Sequence, residues 1–203
     1  ELMARSTAGR LGQLVDDSRK RVHHLARNPD LAQWLQGPNE TGLELLQRQL
    51  NDLAASNPDI ESVTVMDAAG GVRIATEADL AGRYVGQREY FREAMAGRAF
   101  TTGIVVGASA GAAGVFFAEP VRDAANQVLG AAVLHVRAAA FSAILDQNSR
   151  GSELTHFMVD GDGVVMYHPN PDAMYRSLVP LDPAVQQRIK ADQRFRRDRI
   201  QSI

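Results

Sequence analysis

Apolar residues at Leu11, Leu14, Val15, Val22 and Leu25, with Ser18 between them, recur at three- and four-residue steps on a polar background. This spacing predicts a long amphipathic helix with a narrow apolar stripe. So thin a stripe suits either packing against one neighbour or a dimer seam, and a homodimer through this helix is expected. Asn28-Pro29-Asp30 interrupts the pattern, because proline is accepted at a helix's first position but not inside it. A short continuation carries Leu31, Trp34 and Leu35. After Gly37-Pro38-Asn39, the segment Thr41-Gly42-Leu43-Glu44 fits a capping box opening another helix, with the stripe Leu43, Leu46, Leu50 and Leu53.

From Ile60 the period changes from 3.6 to 2. Val63 and Val65, then Val72 and Ile74, flank Asp67-Ala68-Ala69-Gly70-Gly71, which predicts a hairpin with turn chemistry at its tip. A short helix follows, with Phe91 pairing with Met95 to seat it. Strands are then expected over 100–106, 115–121 and 128–136, separated by the glycine-rich stretch 107–114 and the turn Asp123-Ala124-Ala125-Asn126. The stretch 107–114 lacks the Lys and Ser or Thr of a phosphate-cradling loop and reads as a hairpin tip. Two strands, a helix and three more strands describe an antiparallel sheet with helices packed on one side, an α+β fold.

The hairpin then recurs. Phe157-Met158-Val159-Asp160-Gly161-Asp162-Gly163-Val164-Val165 matches the earlier stretch, with Asp160 standing 160 − 67 = 93 residues after Asp67. Two copies imply tandem modules of one type. Asp160 and Asp162 open like a calcium loop, but the twelfth position is Pro171 rather than glutamate, so a charged turn is expected. Asp182-Pro183 caps a last helix, and the mixed-sign tail 192–199 reads as a solvated helix face. The expected units are a helical stalk over 1–56, a first module over 57–148 and a second, incomplete one over 149–203.

Composition narrows the chemistry. The 203 residues are 45% hydrophobic and 23% charged, with a net charge of −2, which offers no concentrated basic face for nucleic acid. The absence of cysteine removes thiolate catalysis, disulfides and cysteine-based zinc sites. His23 and His24 are adjacent and point to different helix faces, so they do not share a metal, and neither metal nor cofactor is expected. No nucleophile, base and orienter can be assembled, which argues against an enzyme. The first residue is Glu1, and the sequence is expected to be an internal segment of a longer, membrane-anchored protein.

The richest chemistry lies in 83–97. Arg88 offers a planar fork of donors to a carboxylate, Tyr90 an aromatic wall with a hydroxyl, and Phe91 an anchor for the helix.

The long helix, the aspartate-glycine hairpin, Gly86-Gln87-Arg88-Glu89-Tyr90-Phe91, the strand end Glu119-Pro120-Val121-Arg122-Asp123, and the second hairpin with His168-Pro169 together resemble the double-Cache sensor domains of bacterial transmembrane receptors. The resemblance spans essentially the whole chain. It implies a PAS-like membrane-distal module that binds a small ligand and a PAS-like proximal module returning to the membrane. It also implies a periplasmic or extracellular location on an inner-membrane protein, and a histidine kinase, chemoreceptor, cyclase or phosphatase as the receptor. It places the ligand-contacting arginine and following aromatics on Arg88, Tyr90 and Phe91, and the lid before them near Arg83 and Tyr84. Where amino-acid sensors of the family carry an aspartate for the ligand's ammonium, this chain has His135. Histidine offers a donor and can itself carry positive charge, so a small carboxylate is expected in preference to an amino acid. Thr102, Phe116 and Ala118 are the expected pocket walls. The competing expectation is a dimerisation and spacer module whose pocket is filled by side chains.

Overall fold

The computed structural model describes residues 2–107, 113–149 and 157–203. Three helices come first: α1 (Leu2–Ala26), α2 (Pro29–Gln36) and α3 (Glu40–Ala55). Asn28 caps α2 by accepting from the Asp30 amide, with Pro29 at the first helical position. Asn39, rather than Thr41, caps α3, its side chain accepting from Gly42 N at 2.8 Å. The expected capping box is displaced because an asparagine two residues earlier already supplies the acceptor. Leu46 and Leu50 are fully buried, whereas Leu43, in the first turn, is exposed.

The first module is one antiparallel sheet in the order β2-β1-β5-β4-β3. Its strands are β1 (Ile60–Asp67), β2 (Val72–Ala75), β3 (Phe100–Val106), β4 (Ala113–Arg122) and β5 (Val128–Arg137). Of the glycine-rich tip between β3 and β4, residues 108–112 lie outside the described ones. The central strand β5 is an almost unbroken buried run, since both faces are covered. On one face Val63, Val65, Phe117 and Leu134 meet Val22, Leu31, Leu46 and Leu50 from the three helices. The opposite face carries Val105, Phe116, Ala118, Ala131 and Val133, and is covered by α4 (Glu89–Met95) and the loop before it through Leu80, Val85, Tyr90 and Phe91. Helices therefore lie on both sides of the sheet, not one. The short α4 was too weakly periodic in sequence to be placed against a particular face.

After the sheet, α5 (Ala138–Ser149) leads into the second module, which carries β6 (Met158–Val159), β7 (Val165–Tyr167) and α6 (Pro183–Ala191). Its hairpin repeats the first in hydrogen-bonding detail. Asp67 Oδ1 accepts from Ala69 and Gly71 amides, and Asp160 Oδ1 accepts from Asp162 and Val164 amides. The likeness runs on beyond the hairpin. Gly82 N donates to Val72 O and Val85 N to Gly70 O; Tyr175 N donates to Val165 O and Leu178 N to Gly163 O, each 93 residues on. Tyr175 even keeps the positive φ of Gly82, 60° against 80°. The tail after α6 is not a solvated helix face: Phe195 is buried and Arg194 is only 12% exposed in its side chain. Arg194 pairs with Asp160 at 3.3 Å and Asp162 at 2.8 Å, so the aspartates that resembled a calcium loop are neutralised by this arginine and by Arg188.

Candidate functional site

The site lies between the covered face of the sheet and α4. Gly86 brings the chain close under the Tyr84 ring, and Arg88 then sits in extended conformation as the residue before α4, without capping the helix through its own side chain. Tyr90 points onto the sheet, where its ring stacks on Phe116 at 5.1 Å between centroids. Phe116 in turn stacks on His135 at 4.1 Å, because β4 and β5 place the two directly opposite each other. The next strand sets Ser62 opposite His135. Beneath these rings is a cavity of about 20 Å³, lined by polar Ser62, Thr64, Tyr90 and His135 and by apolar residues including Met66, Val72 and Phe116. Such a volume holds a single water.

Arg88 is 2% exposed. Its Nη1 donates to the Asp192 and Gln193 carbonyls at 3.3 and 3.0 Å, and its Nη2 to the Val106 carbonyl at 3.2 Å. Val106 precedes Gly107, which lines the cavity. The Nε of Arg88 is buried without a partner. Among the described residues no carboxylate lies within ion-pair distance of the guanidinium. Of five N–H donors, three are used, leaving the Nε hydrogen and one on Nη2, the two nitrogens of the edge that pairs side-on with a carboxylate. Arg88 itself is not among the residues that line the cavity.

His135 is 3% exposed, and its Nε2 also has no hydrogen-bond partner. Burial pulls its pKa from 6.5 to about 4, with Glu61 opposing and Arg137 adding to the shift. At neutral pH the ring is uncharged. The positive charge that the sequence allowed at position 135 is therefore absent, because desolvation outweighs the nearby Glu61. Burial likewise pushes the Tyr90 hydroxyl up to about 12, with Arg88 lowering and Asp192 raising it.

The other expected residues divide. Phe116 lines the cavity, while Phe91 and Ala118 are buried in the same apolar cluster behind it. Thr102 is used by the sheet: in the irregular stretch of β3 its hydroxyl accepts from Phe116 N at 3.0 Å and donates to Gly103 O at 2.6 Å. Arg83 bonds Asp79 on the surface, and Tyr84 is 67% exposed, so neither reaches the cavity in this conformation. Ser62 and Thr64 escaped the sequence reading. Their signal was the polar-apolar alternation Ser62, Val63, Thr64, Val65 in a strand buried on both faces, where two hydroxyls on one side mark a polar floor. Among the described residues no helix is long and apolar enough to cross a membrane, and no cluster of His, Asp and Glu could hold a metal.

The Cache domain family model matches residues 1–197, and the chain belongs to that family. No curated protein matches the sequence. The fold is similar to the sensor domain of the V. cholerae histidine kinase DctB, with a TM-score of 0.84 at 20% identity, covering 99% of this chain and 77% of that one. It is also similar to the ligand-binding domain of the Pseudomonas aeruginosa PAO1 amino acid chemoreceptor PctC in complex with GABA, with a TM-score of 0.68, 24% identity, and coverage of 87% and 77%. The ligand-binding domain of the Pseudomonas fluorescens chemoreceptor CtaA in complex with L-serine follows, with a TM-score of 0.66, 18% identity, and coverage of 86% and 72%.

Proposed function

We propose that this chain is the extracytoplasmic sensing part of a membrane-anchored signalling receptor, and that its first module captures a small organic carboxylate lacking an ammonium group. The units are a helical stalk over 1–56, a membrane-distal module over 57–148 and a membrane-proximal one over 149–203, with α1 pairing two copies. The chain is a binding domain and performs no chemistry itself; a histidine kinase or chemoreceptor supplies the output. The observation that carries this reading is the unsatisfied edge of Arg88. A buried cation without an ion pair gains from an anion more than any exposed arginine does.

GABA and L-serine, the ligands of the PctC and CtaA structures, both bring an ammonium group. The cavity lining here contains no aspartate or glutamate, only hydroxyls, a neutral histidine and apolar groups. An ammonium moved there would lose its hydration without a counter-charge, whereas a carboxylate would reach Arg88 once the cavity expands beyond its present lining, and His135 can donate from Nε2 as the appropriate tautomer. Capture requires expansion of a cavity sized for one water. The hinge is the loop over 76–88, where Gly82 adopts a positive φ of 80° and Gly86 allows close approach.

A second reading is favoured by the small cavity itself: the Tyr90, Phe116 and His135 stack fills the space, as in a dimerisation and spacer module. A thermal-shift screen of paired ligands, acetate with glycine and propionate with β-alanine, separates the two. At about 100 times its Kd a ligand stabilises the fold by roughly 2.7 kcal/mol. Shifts from the acids and none from their amino counterparts support carboxylate sensing. A flat response across the panel and across larger carboxylates supports the spacer.

A further inference from the structure

The N-terminus of α4 is finished by the other module. Arg88 does not cap the helix through its own side chain, and the Glu89 amide instead donates to the carboxylate of Asp192. Asp192 is the residue that closes α6, with its own amide bonded to Arg188 O and Lys190 O. The end of one helix thus meets the start of another: the carbonyls of 192 and 193 accept from Arg88, and the acid of 192 accepts from Glu89. Both contacts follow the helix dipoles, with a cation at the C-terminal end of α6 and an anion at the N-terminal end of α4. The docking is framed on every side. Val106 N donates to Arg194 O at 2.8 Å, Arg194 pairs with Glu89 at 3.6 Å, and Gln87 Nε2 reaches Gln193 Oε1 at 3.4 Å. The segment also holds Gln193 at a positive φ of 51°, a conformation non-glycine residues adopt when their surroundings enforce it.

We propose that Asp192 is a positioning residue of the carboxylate site, contributed by the second module: by docking on α4 it holds the 192–193 carbonyls against Nη1 of Arg88 and turns the Nε and Nη2 edge toward the ligand. The role rests on Arg88 being the ligand's anchor. Among the described residues the carbonyl of Val106 is the guanidinium's one hydrogen-bond partner within the first module, and the other two bonds come from 192 and 193. Linkage then gives the site an output. If docking of α6 strengthens ligand binding by some factor, ligand binding strengthens the docking by that same factor. A ligand in the distal module would thereby tighten its grip on the proximal one, with no moving part beyond the two helix ends.

The test uses the whole chain, amide exchange and a propionate titration. Asp192→Ala is expected to speed exchange of the first-turn amides of α4 by roughly threefold to thirtyfold, the worth of a lost helix cap. It is expected to weaken propionate binding by a similar factor without changing exchange in the central strands β1 and β5. Asp192→Asn keeps the Oδ1 acceptor and should recover most of both losses, which a general packing defect would not. In the unsubstituted chain, saturating propionate should slow exchange over 192–194. Unchanged exchange at α4 in Asp192→Ala overturns the proposal, as does undiminished propionate affinity. Faster exchange at α4 with no propionate binding by any form would instead defeat the carboxylate reading while leaving the helix docking in place.

Discussion

Acidification should expose the cost of burying His135. The ring sits at 3% exposure with Nε2 unpartnered, and its pKa falls from 6.5 in the unfolded chain to about 4 when folded. Between those values the unfolded state binds a proton that the folded state refuses, so stability rises with pH across the window and is lost as pH falls through it. The fall from 6.5 to about 4, at about 1.36 kcal/mol for each tenfold change in proton affinity, corresponds to about 3 kcal/mol between pH 7 and pH 4. Burial is nearly complete, so solvent screening reduces this little. Other groups titrate as well: Asp67 and Asp162 are held below the ordinary carboxylate value, so their stabilisation is lost only at more acid pH. Burial raises Asp192, so its contribution has the opposite sign, with stability falling as pH rises toward its folded value. Comparing the unsubstituted chain with His135→Leu cancels these shared contributions. Urea unfolding at half-unit steps from pH 7 to pH 4 should show the unsubstituted chain losing about 3 kcal/mol more than His135→Leu as the acid limit is approached. Parallel curves, or a difference under 1 kcal/mol, would refute a buried neutral imidazole.

Three further substitutions probe the framework around the site. Arg88→Met should cost about 3 kcal/mol in urea unfolding, because it abandons three buried or half-buried carbonyls that the guanidinium satisfies. A loss below 1 kcal/mol would mean those bonds contribute little. Gly114→Ala should be severe, on the order of 3 kcal/mol, because a Cβ there overlaps the Val136 carbonyl and the His135 ring, neither of which can retreat. Gly86→Ala is the contrast: its Cβ meets the Tyr84 ring, which is exposed and free to swing out, so the loss should stay below about 1 kcal/mol. Equal effects of the two would contradict the packing described at β4 and β5.

The sheet was legible because its strands carry strong β-branched runs bounded by turn chemistry, and four of its five strands start at the residue expected, β4 starting two residues earlier. The tandem repeat was legible in the two aspartate turns but extends further than the letters suggest. Gly82 and Tyr175 share a backbone conformation and a hydrogen-bond role while sharing no side-chain chemistry. Of the expected site residues, Tyr90, Phe116 and His135 come together along the covered face of the sheet and line its cavity, whereas Arg88 is buried but does not line it. Four things lay beyond sequence. Thr102 is drawn into the sheet by an irregularity in register that no local pattern encodes. Tyr84 and Arg83 are turned outward by the loop's conformation. Two of the three partners of Arg88 come from 104 and 105 residues away, a distance over which periodicity carries no information. The charge of His135 is likewise a property of its surroundings, since imidazole is poised to lose or gain a proton with modest changes in burial.

The most direct measurement is the ¹H–¹⁵N resonance of the Arg88 Nε–H, followed while propionate and then β-alanine are titrated into the labelled protein. Propionate should move that resonance downfield to saturation, as a carboxylate takes up the unpartnered hydrogen, and β-alanine should leave it in place. A resonance unmoved by propionate and by larger carboxylates, or moved more readily by β-alanine, would contradict the assignment of this cavity to an anion without an ammonium group.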